Sequence, residues 1–200
     1  VTHFAPTFFA RPTVEVARGL LGATLRHGDV AVRVTEVEAY LGPTDSACHT
    51  SKGRTARNAA MWGPPGRAYV YRCYGLHFLL NVVSDVEGTG AAVLVRAGEV
   101  LAGHDVVASR RGGRRGSDAA DGPGKLAAAL ALDLSFNHHP LYGDAGLRLV
   151  PGPPPAGVLV GPRIGVDYAA PADRDAPLRF AVADSPAVSY RRLLTREASC

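Results

Sequence analysis

The stretch Val30-Ala-Val-Arg-Val-Thr-Glu-Val-Glu-Ala-Tyr40, closed by Leu41-Gly42-Pro43, decides how the rest of the chain is read. Its β-branched residues and turn-forming close predict a strand. Strict alternation puts Val30, Val32, Val34, Glu36, Glu38 and Tyr40 on one face. That face begins apolar, so it should look inward, yet it ends with two carboxylates and a phenol. Ionised groups facing a core are costly unless they are solvated or paired. Two readings stay open: the strand twists out of the core by Glu36 and the acids are plain surface, or Glu38 and Tyr40 line one cavity beside an aromatic wall.

Outward from this strand the pattern is one of hairpins with a few helices between them. Upstream, Thr13–Leu21 carries Val14, Ala17, Leu20 and Leu21 on one side, an amphipathic helix with Gly22 as its C′ residue. Downstream, Thr44–Pro65 is polar and reads mostly as loop. Arg67–Cys73 and His77–Val83 are strands whose link, Cys73-Tyr74-Gly75-Leu76, is short enough for a hairpin turn. Ala91–Arg96 is a further strand, Arg110–Asp121 a flexible loop, and Gly124–Leu132 an alanine-rich helix introduced by Gly122-Pro-Gly-Lys125. Leu147–Val150, Gly157–Ile164 and Pro177–Ala183 are short strands. No repeat or interior linker interrupts the order, which predicts one α+β domain over residues 1–200 with a mainly antiparallel sheet.

Composition narrows the class. A chain of 200 residues with 46% hydrophobic and 20% charged residues fits one globular domain and excludes a disordered chain or a coiled coil. Neither a membrane span nor a signal peptide is readable. Cys48, Cys73 and Cys200 are odd in number and widely spaced, so they read as reduced thiols in a cytosolic protein. The net charge is 22 − 18 = +4, and all bases but Lys52 and Lys125 are arginine. Ser46–Ser84 holds Lys52, Arg54, Arg57, Arg67 and Arg72 and no acid, and a second knot runs from Arg110 to Arg115. Such a stripe suits a polyanion; a solvated arginine-rich surface is the plainer alternative. No Walker phosphate loop, dinucleotide glycine fingerprint or serine elbow is present. His49 has no second histidine or cysteine at ligand spacing, so no metal is expected.

Three tyrosines complete the candidate chemistry. Tyr69 and Tyr71 share a strand face, while Tyr74 falls at the hairpin tip. An aromatic there has little packing reason to exist unless it folds back on its own hairpin. In a basic segment it suggests a wedge of the kind that unstacks DNA bases.

Taken in order, these residues resemble the alkyladenine (3-methyladenine) DNA glycosylase family. The likeness starts at Thr35-Glu-Val-Glu-Ala-Tyr-Leu-Gly-Pro43 with Asp45 and continues through His49, Arg57-Asn58, Met61, Pro65-Gly66 and Tyr69-Val-Tyr71 with Tyr74-Gly75. It resumes at Asn81, Leu94, Arg96, Gly122-Pro123 with Lys125-Leu126, Ser135-Phe136, Arg163-Ile-Gly-Val166 and Pro177-Leu-Arg-Phe180. The resemblance implies a single mixed domain around a curved antiparallel sheet, with peripheral helices and a protruding, intercalating hairpin. It also implies a monofunctional hydrolase that flips alkylated, deaminated (hypoxanthine) or etheno purines from duplex DNA and cuts the N-glycosidic bond, initiating base excision repair. On that likeness Glu38 matches the general base that activates water, and Arg96 the arginine that positions it. Tyr40 and Tyr71 match the walls of the base pocket, His49 the group packing on the base edge, and Asn81 the residue that crowds the exocyclic amine of guanine. Met61 and Leu94 match further lining, and Tyr74 the side chain that fills the vacated stack. Arg54, Arg57 and Lys125 are expected on the DNA backbone. No cofactor is implied, neither lysine occupies a Schiff-base position, and the partner is damaged double-stranded DNA bound by a monomer in the cytoplasm (on the bacterial nucleoid) or in a nucleus. Two other classes compete: a silent lesion-binding module, in which Glu38 is structural, and a nucleosidase, for which the basic segment and Tyr74 have no use.

Overall fold

A break in the alternation of the Val30–Tyr40 strand organises the whole sheet. The computed structural model describes residues 3–144 and 146–197. In chain order it places helices α1 (Pro6–Phe9) and α2 (Thr13–Leu20), then strands β1 (Thr24–His27), β2 (Val30–Tyr40), β3 (Ala68–Cys73), β4 (His77–Ser84) and β5 (Ala91–Ala102). Helices α3 (His104–Arg110) and α4 (Pro123–Ala129) follow, then β6 (Arg148–Val150), β7 (Val158–Gly161), α5 (Pro171–Arg174), β8 (Arg179–Val182) and β9 (Thr195–Arg196). The strands pair in the order β3-β4-β5-β2-β8-β7-β9, with β1 joining β2 and β6 alongside. Among the described residues every pairing is antiparallel, as the α+β reading expects.

Against β5, β2 pairs Val34 with Gly98, Glu36 with Ala97 and Val37 with Val95, so Thr35 and Arg96 both stand outside the register. A bulge of this kind bends the strand and inverts which side chains face which way. Val30, Val32 and Val34 face the main core, and beyond the bulge Val37 and Ala39 take over that side. Glu36, Glu38 and Tyr40 therefore leave the core face, which corrects the expectation that they share it with Val30. Both open readings of the acids also fail in part, because neither carboxylate is on the surface: each is 0% exposed. The bulge coincides with a change of neighbour, β1 pairing Val30–Arg33 and β8 pairing Glu36–Glu38. Two strands, both antiparallel to β2, thus follow one another along it on either side of the bulge, where the sheet bends. Gly98 is required at this point, since a Cβ there would lie 2.4 Å from Val32 Cγ1 and 2.6 Å from the Arg33 carbonyl oxygen.

The main core fills one face of the sheet. Val16, Ala17 and Leu20 of α2 and Leu126, Ala127 and Ala129 of α4 pack there on Val32, Val37, Val82, Val93, Val95 and Phe180. Helix α2 ends at Leu20, one residue before the expected Leu21, which is its cap, and Gly22 follows as the C′ residue in the left-handed region at φ 84°. Helix α4 starts at Pro123, whose fixed φ suits a first helical position, and stops at Ala129 rather than Leu132 because Ala131 turns left-handed. β5 runs on to Ala102, past the expected end at Arg96. The flexible-loop reading of Arg110–Asp121 is corrected. Arg110 closes α3, a 3-10 turn covers Gly116–Ala119, and Arg110 and Arg111 are tied to the carbonyls of Ala129 (2.8 Å) and Ala119 (3.0 Å). Cys48 and Cys73 are free thiols, while Cys200 lies outside the described residues. Among the described residues no helix is long and apolar enough to cross a membrane.

Candidate active site

Side chains that alternate with the core residues line a cavity of about 1330 Å³. Tyr40 from β2, Tyr69 and Tyr71 from β3, Asn81 from β4, and Leu94 and Arg96 from β5 all contribute to it, joined by His49, Met61, Arg57 and Tyr74. Of the expected site residues, Glu38 and Arg54 do not reach its surface among the described lining residues. Arg54 is exposed on the loop before Asn58.

Glu38 sits just behind that surface. Its Oε1 accepts from the Ile164 backbone N–H (2.7 Å) and lies 3.2 Å from Arg96 Nη1; its Oε2 accepts from the Tyr40 hydroxyl (2.9 Å). All three partners line the cavity. Burial pushes the Tyr40 phenol well above its usual pKa, and the Glu38 charge and hydrogen bond push it further. Tyr40 therefore keeps its proton and remains the donor. A carboxylate oxygen can accept two hydrogen bonds, so Oε2, with the Tyr40 hydroxyl as its one partner among the described residues, retains capacity for a water, while Oε1 already meets two donors.

Arg96 is the unpaired residue of the β5 bulge, which frees its side chain to span two carboxylates. Its Nε donates to Glu36 Oε1 (2.8 Å) while Nη1 faces Glu38. Burial alone pulls its pKa down, but the Glu38 and Glu36 charges more than reverse this and raise it. Glu36 is also met by Arg179 Nη1 (3.2 Å) and by the backbone N–H (2.6 Å) and hydroxyl (2.8 Å) of Ser189. Thr35, the unpaired residue on β2, donates its hydroxyl to the Ala187 carbonyl (2.5 Å) and so ties the Ser189 loop to the bulge. A second buried pair, Arg163 with Asp45 (2.5 and 2.8 Å), spreads over the Tyr40 ring at 4.7 Å. Asp45 accepts from the Leu41 and Ala47 N–H groups as well, which fixes the loop carrying His49.

The opposite wall is aromatic. Tyr69 stacks on Tyr71 with ring centroids 5.4 Å apart, and the His49 ring meets Tyr71 edge-on at 4.6 Å. His49 Nδ1 lies 3.0 Å from the Tyr69 hydroxyl. Burial pushes the Tyr69 phenol up to about 12, so it stays protonated near neutral pH. Asn81, 5% exposed, donates to the Tyr69 carbonyl (3.1 Å), which leaves its side-chain oxygen without a protein partner among the described residues. Asn58 holds the His49 carbonyl (2.9 Å) from behind.

Desolvation lowers the His49 pKa below 6.5, and the Arg57 guanidinium lowers it further. His49 is thus neutral at pH 7. Because the folded value is the lower one, its contribution to stability is complete above 6.5 and is lost as pH falls through the folded pKa. An NMR titration of the His49 ring should therefore give a midpoint under 6.5, and thermal melts of the parent should lose ground to His49→Gln as pH drops from 7 to 5. A midpoint at or above 6.5 would contradict the burial argument.

The hairpin tip stands out from the cavity. Cys73 pairs with His77 across Tyr74, Gly75 and Leu76, with the Leu76 N–H bonded to the Cys73 carbonyl. Tyr74 is 93% exposed and adopts φ 48°, a region costly for an aromatic residue. Exposure and backbone strain together, at the end of a hairpin, suit a probe better than a packing residue. Lys125 lines the cavity beside it but is not a free cation: Asp118 (2.8 Å) and Asp121 (2.7 Å) hold its ammonium. Among the described residues no three His, Cys, Asp or Glu side chains gather as they would around a metal ion.

Residues 7–186 match the sequence pattern of the methylpurine-DNA glycosylase (MPG) family. The chain belongs to that family. It is 53% identical over 94% of its length to a Nitrosococcus oceani protein assigned as a 3-methyladenine DNA glycosylase, of which it covers 94%. It is 48% identical over 92% of its length to an Arabidopsis thaliana DNA-3-methyladenine glycosylase, covering 73% of that protein. A Methanocella arvoryzae protein assigned the same activity is 46% identical, with 92% of this chain and 94% of the relative aligned.

Within this methylpurine-DNA glycosylase chain, sequence reasoning reached the cavity-lining residues and missed what holds them. Glu36 was seen as a carboxylate on the Glu38 strand but given no partner, and Arg179, Ser189 and the Asp45–Arg163 pair were given no role. The available signal was chemical: Arg179 stands in the otherwise apolar run Leu178-Arg-Phe-Ala-Val182, and it is fully buried. A charge in such a run implies a buried counter-charge.

Proposed function

We propose that the chain is a monofunctional DNA glycosylase that extrudes damaged purines from duplex DNA and hydrolyses their N-glycosidic bond. The observation that carries this reading is the placement of Glu38 directly behind the cavity wall, held by Arg96, the Ile164 N–H and the Tyr40 hydroxyl. Departure of the base builds positive charge on the sugar. A carboxylate at that spot stabilises the charge and takes a proton from the attacking water. The group Glu36, Glu38, Arg96 and Arg179 holds two negative and two positive charges, so Glu38 can face a cation without stranding an unbalanced charge in the fold.

Tyr40 on one side and Tyr71 with His49 on the other offer π faces to a flat and, when alkylated, cationic base. Asn81 lies where an exocyclic amine would crowd it, and Tyr74 fills the stack that the nucleotide leaves. Extrusion costs least for bases already weakly paired, which adds selectivity before any pocket contact. Arg57, stacked over Tyr71 at 5.6 Å, and Arg54 meet backbone phosphates, and Lys125 does so by exchanging an aspartate for a phosphate. A water serves as nucleophile, so the abasic strand is left uncut.

The test is excision from duplexes carrying 3-methyladenine, hypoxanthine or ethenoadenine. At least one should acquire abasic sites that break only on alkali treatment. Strand breaks without alkali would remove the monofunctional assignment, and no product on any lesion would favour a silent binding module.

A further inference from the structure

Six of the chain's seven tyrosines line this cavity, and four of them, Tyr40, Tyr69, Tyr71 and Tyr74, already have a part in the site. Tyr168 and Tyr190 do not. Both are large, exposed rings, at 69% and 57%, lining a cavity that already presents four other tyrosines. Tyr168 is the better anchored. Its hydroxyl donates to the Ala47 carbonyl at 2.8 Å, and its neighbours Val166 and Ala169 are buried with Ala47 against Tyr40. The same segment carries Arg163, locked to Asp45, and Ile164, whose N–H holds Glu38. Both ends of the Tyr168 side chain are therefore fixed while its ring face stays open. A ring held still in water loses little further entropy when something stacks on it, the usual design of an aromatic contact.

We propose that Tyr168 is a specificity-determining contact of this site, its ring lying against the extruded purine nucleotide at the Tyr40 side of the mouth. This rests on the glycosylase reading above. A fixed outer ring holds a nucleotide that has left the helix and touches nothing of a nucleotide still stacked in it. It should therefore favour lesion-bearing over intact duplex rather than strengthen DNA binding in general.

Single-turnover excision of one lesion duplex, run over a range of enzyme concentrations for the parent, Tyr168→Ala and Tyr168→Phe, separates capture from chemistry. Competition by undamaged duplex of the same sequence measures general affinity, and melting curves report folding. Tyr168→Ala should raise the half-saturating concentration about tenfold, in line with the loss of one base–aromatic stack. Its maximal rate should change far less, and competition by undamaged duplex should be unaltered. Tyr168→Phe, which keeps the ring and loses only the Ala47 bond, should shift less than about threefold. An unchanged half-saturation in Tyr168→Ala overturns the proposal. So does a loss shared equally with undamaged DNA, which marks a general DNA contact. A parent that excises nothing removes the glycosylase reading itself, and this inference with it.

Discussion

Replacing Glu38 by Gln is expected to slow single-turnover excision by about a thousandfold, within the range for loss of a general base, while affinity for lesion-bearing duplex stays close to that of the parent. The variant separates chemistry from folding because the amide fills the same space. Its oxygen can still accept from the Ile164 N–H, and Tyr40 can rotate its hydroxyl to meet the new NH₂ group. Arg96 loses one carboxylate but keeps Glu36 through the 2.8 Å bond from its Nε. What disappears is the negative charge beside the sugar and the capacity to take a proton from water. A Gln variant that excises at more than about a tenth of the parent rate would remove Glu38 as the base. A variant that loses lesion binding along with the rate would instead make Glu38 part of the pocket's frame.

Local chemistry made the cavity residues legible in the sequence, and long-range geometry hid their orientation. Tyr69 and Tyr71 were readable as sharing a wall because β3 is regular and alternation holds along it. The hairpin was readable from the short link around Tyr74-Gly75, and the end of α2, to within one residue, from Gly22. Alternation failed at β2 because no residue type announces a bulge: Thr35 is an ordinary strand residue, and the slip is set by its pairing with a strand sixty residues away, where Arg96 slips too. Glu38 was thus placed on the core face, whereas it sits on the other face, behind the wall of the cavity it was expected to line. The short strand β1 was invisible for a related reason. Thr24-Leu-Arg-His27 has one buried side chain and gains its strand character only from β2 and β6. Lys125 was expected on the DNA backbone, but its ammonium is held by Asp121, four residues before it, and by Asp118, which a 3-10 turn concealed by the Gly-rich run brings within reach.

Glu36→Ala is expected to have the largest effect on stability of any single change in the site. Glu36 is 0% exposed and receives Arg96, Arg179 and two donors of Ser189. Arg96 retains Glu38 after the change. Arg179, itself 0% exposed, keeps only carbonyl partners on Pro162, Ser189 and Tyr190, so its charge is left uncompensated inside the protein. Breaking a buried pair by removing one member costs about 3–5 kcal/mol. Against a net stability of about 5–15 kcal/mol that is a large share. For a chain of this size it should lower the melting midpoint by about 10 °C. Replacing Glu36 and Arg179 together by apolar residues should recover part of the loss, since the stranded charge goes with its partner. The contrast with Glu38→Gln is the useful one. If the two carboxylates have the separate roles that their contacts suggest, one variant melts early and the other melts normally but does not turn over. A Glu36→Ala protein that melts within about 3 °C of the parent, a shift of roughly 1 kcal/mol, would mean that Arg179 finds solvent or another acid. The charge balance behind Glu38 would then have to be drawn without Glu36.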